Sequence, residues 1–70
     1  MHEGQTVRAL LTWFLQTDDE ATLRRGLADI PASVWPGFSA EAAAEIRDQD
    51  QTRYALHRHV LGEERRRREY

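Results

Sequence analysis

Apolar residues return at helical spacing along most of this chain. Val7, Leu10, Leu11, Phe14 and Leu15 follow the i, i+3, i+4, i+7, i+8 pattern of an amphipathic helix. Trp13 falls on the flank of that stripe, and Ala9, Thr12 and Gln16 face away from it. The next four residues, Thr17-Asp18-Asp19-Glu20, match a capping box, and their acids suit the positive end of a helix dipole. They predict a second helix from about Asp18 to Asp29, with Leu23, Leu27 and Ile30 on one face. Gly26 lies beside that face, where it costs about 1 kcal/mol of helix propensity against Ala. It is either the site of a close helix approach or a chance glycine. Pro31 stops the second helix, because the residue before a proline is pushed away from helical angles.

From Pro31 to Phe38 the chain reads PASVWPGF, a compact loop or single helical turn, with Pro36-Gly37 as a turn signal. Val34, Trp35 and Phe38 are too apolar for a solvated loop and are expected to plug the end of a helical pair. Ser39 is a candidate N-cap for a third helical segment running from Ala40 to about Leu61. Drawn as one helix, that segment directs Ala42, Ala43, Ile46, Tyr54, Val60 and Leu61 inward, and with them Asp50, Arg53 and His57. Buried charge is costly unless paired. Either these three polar residues pair as a structural cluster, or the helix breaks near Asp48–Gln51 and restarts, for which Asp48-x-x-Gln51 is a passable cap. Gly62 is a frequent helix-ending residue, and residues 63–70 form a charged, Arg-rich tail, either irregular or continuing as a frayed helix, behind a single helical domain of residues 1–62. The fold class is all-α, a small bundle of three to four short helices.

Composition narrows the function classes. At 70 residues the chain holds one domain, near the lower limit of independent folding. No cysteine is present, which removes disulfides, thiolate zinc sites and a cysteine nucleophile. No apolar run is long enough to span a bilayer and no signal peptide is read, so a soluble, cytoplasmic protein without a membrane partner is expected. All 10 basic residues are Arg, a bias that suits a GC-rich bacterial genome. The net charge of −2 gives no general basic field for nucleic acid. Its distribution is uneven, however: residues 1–52 hold four Arg against nine acids (net −5), and residues 53–70 hold six Arg against three acids (net +3).

The candidate chemistry is sparse. His57 and His59 would point about 200° apart on a helix and cannot share an ion, so no metal is expected. Glu45, Asp48 and Asp50 have neither a nucleophile nor a glycine-rich phosphate loop near them in sequence. Solvated faces and caps account for them, and no catalytic residue or cofactor is assigned. Arg65, Arg66, Arg67 and Arg68 could meet phosphates, but Glu63–Arg67, Glu64–Arg68 and Arg65–Glu69 stand at i, i+4 and would part-neutralise a helix. Trp13, Trp35 and Phe38 are either core mass or, with Trp13 at a stripe edge and Trp35 in a loop, anchors of an exposed docking patch. The expected function is a non-catalytic protein-binding module, an accessory subunit, adaptor or inhibitor. Its docking patch would be Trp13, Trp35 and Phe38, rimmed by Arg65–Arg68. The alternative is a small nucleic-acid-associated regulator using the Arg tail. A larger protein is the expected partner, with self-association also open.

One resemblance points the same way. The order Phe14-Leu15, Leu23-Arg24, Leu27, Pro31, Phe38-Ser39, Glu41, Ile46 and Asp50 is similar to that of the small all-helical domain of the protocatechuate 4,5-dioxygenase alpha subunit (LigA-like). A related domain occurs in some precursor peptides of ribosomally made natural products. The resemblance covers roughly Leu11 to Leu61, and the charged tail has no counterpart in it. It implies a non-catalytic helical subunit or recognition domain that packs on a larger enzyme, and it carries over no catalytic residue.

Overall fold

The computed structural model describes residues 3–48 and 53–69. Four helices follow one another: α1 (Glu3–Gln16), α2 (Glu20–Asp29), α3 (Trp35–Arg47) and α4 (Ala55–Arg68). They form an all-α bundle in which α1 packs on α3, α2 on α4, and α3 on α4. The core is the meeting of their inward stripes: Phe14 from α1, Leu23 and Leu27 from α2, Phe38, Ala42 and Ile46 from α3, and Val60 and Leu61 from α4. Val7, Leu10, Leu11 and Leu15 border that core half-buried, so Phe14 alone of the α1 stripe is fully enclosed.

The ends of the helices show which local signals won. Thr17 does not cap α2. Its hydroxyl donates to the Trp13 carbonyl at 2.6 Å and closes α1. The cap of α2 is Asp19, whose carboxylate accepts from the Thr22 amide at 2.8 Å and the Thr22 hydroxyl at 2.7 Å. A charged acceptor with two donors outcompetes a threonine. Those two bonds hold the Asp19 carboxyl below its ordinary range. At the far end, Ile30 leaves helical angles ahead of Pro31.

α3 starts four residues before the expected Ser39 cap. A turn from Pro31 delivers both the Val34 and Trp35 amides to the Pro31 carbonyl, at 3.0 Å each. Pro36 then occupies the first turn of the helix, where its missing N–H costs nothing, and Ser39 is buried inside it. Pro36-Gly37 is therefore a helix start and not a turn. α3 ends at Arg47 and a separate α4 begins at Ala55, so the third segment is two helices; Asp50 and Gln51 lie outside the described residues. Gly62 stands within α4 rather than ending it, and residues 63–68 continue that helix as its last turns.

Gly26 is a contact residue. The Trp13 indole lies directly on it, and a methyl group added there would overlap Cζ2 and Cη2 of the ring. This notch lets α1 and α2 close on each other across a tryptophan. Alanine normally gains about 1 kcal/mol over glycine inside a helix. Here Gly26→Ala should instead destabilise by about 1–2 kcal/mol through overpacking. The gain should reappear when Trp13→Ala is combined with it, which a double-mutant cycle by urea denaturation reads directly.

Candidate functional site

The expected aromatic docking patch does not form. Phe38 is wholly buried, edge-on to Phe14 at 5.7 Å between ring centres. Trp35 is 9% exposed and tilts against Phe38 at 5.8 Å. Both lie inside because α3 begins at Trp35, which places positions 35, 38, 42 and 46 on one inward stripe. Trp13 remains half-buried over Gly26.

Trp35 has a lid, and the lid comes from the Arg run. The Arg68 guanidinium stacks over the Trp35 ring, 4.2 Å from its centre. The same group donates to the carbonyls of Leu27 at 2.8 Å and Ile30 at 2.9 Å, with a longer bond to Ala28 at 3.3 Å. These carbonyls belong to the last turn and cap of α2, where the Leu27 carbonyl also accepts from the Ile30 amide at 3.3 Å, and a cation there also meets the negative end of the dipole. Arg68 therefore caps one helix from the last turn of another and is only 18% exposed at its side chain. Arg67 and Arg68 both bind Glu64, at 2.6 Å each for their shortest bonds. Of the i, i+4 pairs expected in this stretch, Glu64–Arg68 forms. Glu63 turns instead to Arg24 on α2 and to His59 at 3.2 Å.

Glu64 is 8% exposed. Burial pushes its carboxyl up, but the bonds from Arg67 and Arg68 outweigh burial and hold it below the ordinary value of 4.5. A carboxylate depressed in the fold contributes stability above its unfolded value, and that stability drains away as pH falls through the folded one. Glu64→Gln should therefore lower stability at neutral pH and flatten the loss between pH 4.5 and lower values, as followed by thermal melts across an acid series. An unchanged acid limb would assign that loss to other carboxylates.

The polar cluster is also rearranged. His57 is buried, and its Nε2 lies 2.8 Å from the Thr17 carbonyl, joining α4 to the end of α1. Its ring meets Phe14 edge-on at 5.2 Å and Tyr54 at 5.1 Å, and Nδ1 has no hydrogen-bond partner among the described residues. Arg53 does not join His57: it is exposed, with its guanidinium over the Tyr54 ring at 5.4 Å. Asp50, the third member of the expected cluster, lies outside the described residues.

What the surface offers is a groove between α3 and α4. It is lined by Ala43, Ile46 and Arg47 from α3 and by Arg58, Leu61, Gly62 and Arg65 from α4, and has a volume of about 260 Å³. Small residues face each other across it, since Ala43 and Gly62 leave the seam unfilled. Arg58 reaches back to the Ile46 carbonyl at 3.4 Å. Arg47 and Arg65 are exposed and make no ion pair among the described residues. The α2–α4 seam differs, because Arg24–Glu63 and Arg67–Glu64 bridge it or line it with matched charge. Sequence reading missed the groove, although Arg58, Leu61, Gly62 and Arg65 share a helical repeat. The signal was hidden by treating Gly62 as a terminus.

The described residues hold no group of three metal-ligating side chains, and no described helix is long and apolar enough to cross a membrane. Compared with family models, curated proteins and solved structures, the chain matches none.

Proposed function

We propose that this chain is a small protein-binding module that docks on a larger partner through the α3–α4 groove and does no chemistry itself. The observation that carries this reading is an apolar floor flanked by Arg47 and Arg65, two cations without ion-pair partners among the described residues. Apolar floor and polar rim are the ordinary anatomy of a docking surface, the floor supplying affinity and the rim selectivity. The resemblance to the LigA-like domain belongs to this proposal as a likeness of role: a helical subunit that packs on an enzyme without contributing catalytic groups. The nucleic-acid reading is weaker on the same grounds. Arg67 and Arg68 are spent on Glu64, and Arg68 covers the Trp35 face that a base would need for stacking.

The test is affinity capture from the native host with the intact chain and with an Arg47→Glu, Arg65→Glu variant. Both positions are exposed, so the variant keeps the wild-type circular dichroism. A protein retained by the intact chain at high salt and lost by the variant supports the reading. Equal capture by both, or capture of nucleic acid alone, sinks it.

A further inference from the structure

Resting on that docking surface, the geometry points to its occupant: an acidic amphipathic helix that presents one apolar face to the groove, with a carboxylate near each end. The dimensions come from the lining residues. Arg58, Leu61, Gly62 and Arg65 stand at i, i+3, i+4 and i+7 on α4, and Ala43, Ile46 and Arg47 at i, i+3 and i+4 on α3. The groove is thus two turns long, about 10 Å at 1.5 Å per residue. That length seats two apolar side chains of a helix at i and i+3 or i+4, the usual anchors of a helix in a groove. At about 260 Å³ it is small for a ligand pocket, which more often holds about 300–1,000 Å³.

The ends of the groove carry the charge. Arg58 touches the Ile46 carbonyl, which places Arg47, the next residue, at the Arg58 end. Arg65 stands two turns further along α4, at the other end. No acid among the described residues lines the groove between them. A guanidinium prefers a planar carboxylate that it can hold with two bonds. Two such groups about two turns apart therefore match Asp or Glu residues flanking an apolar centre. A second copy of this chain fits less well at its most acidic stretch. There Asp19 is committed to capping α2, and Glu20 to an ion pair with Arg24 at 2.9 Å.

The experiment is a display library of helical peptides, randomised at every position and selected on the full-length chain. Amide shifts in ¹⁵N-labelled protein then map the enriched peptides. Peptides with acids two turns apart around an apolar centre should be enriched, and should move amides of residues 43–47 and 58–65. Arg47→Glu with Arg65→Glu should weaken them at least about tenfold, which is about 1.4 kcal/mol. Peptides enriched without acids, shifts on another face, or no enrichment would each overturn this assignment. So would tighter binding of a DNA or RNA oligonucleotide to the same face, or sedimentation showing a dimer that buries it. If host capture still depends on Arg47 and Arg65 while the enriched peptides lack acids, the docking surface stands and only its proposed occupant falls.

Discussion

Replacing Arg68 with alanine should destabilise this protein by about 2–4 kcal/mol, far more than an arginine in a charged run normally costs. The side chain makes three kinds of contact at once: bonds to the α2 carbonyls, a stack on Trp35 and a bond to Glu64. A hydrogen bond from a charged donor contributes about 1.5–3 kcal/mol, and a cation over an indole about 0.5–2 kcal/mol. These terms share one group and do not add in full. Removal strips the end of α2 of its side-chain donor and opens the Trp35 face to water. Arg68→Lys should recover less than half of the loss, since one ammonium cannot lie flat on the ring, bond Glu64 as Nε does and meet the α2 carbonyls as Nη2 does, all at once. Arg66→Ala, an exposed neighbour, is the control and should change stability by less than about 0.5 kcal/mol. Urea denaturation of the three variants checks the order. Equal effects at 66 and 68 would mean that water already satisfies the α2 carbonyls.

Phe14→Ala should cost about 3–5 kcal/mol, the range for deleting a buried aromatic ring. Phe14 is fully enclosed and is the ring on which Phe38 and His57 both stand edge-on. Its loss leaves a cavity where α1, α3 and α4 meet and deprives the buried His57 ring of one wall. Small domains hold about 5–15 kcal/mol in total, so this one change removes about a fifth of that stability or more. Leu11→Ala, on the same stripe but half-buried, should cost closer to 1 kcal/mol. A ratio near one between the two would show that α1 is anchored along its whole length and not at a single ring.

The fold class was legible because the first two helices carry clean stripes and Pro31 is an unambiguous stop. Helix starts were harder, for reasons visible in single residues. Thr17 and Asp19 are both good caps, and only the presence of Thr22 to supply two donors decides for Asp19. Pro36 reads equally as a turn residue or as the first turn of a helix, and the turn reading leaves Trp35 and Phe38 open between core plug and docking patch. Among four consecutive arginines, residue type cannot say which one turns inward. Helical spacing from His57 through Val60, Leu61 and Glu64 selects Arg68, but that spacing is visible only if Gly62 is allowed inside the helix. The groove was lost for the same reason.

Two ties in this molecule join residues about forty positions apart: His57 to the Thr17 carbonyl and Arg68 to the Leu27 carbonyl. Each holds the backbone at the far end of one helix to α4, so those carbonyls lack their side-chain partners until α4 arrives. Short helices are marginal by themselves in water, and closing a long loop must precede any reward from its contacts. The first half of the chain therefore cannot order in advance of the second. In hydrogen exchange, the protected amides of α2 and α4 should open together as one unit, with no separately stable half. Cutting the chain between α3 and α4 should leave two fragments that are helical only when mixed.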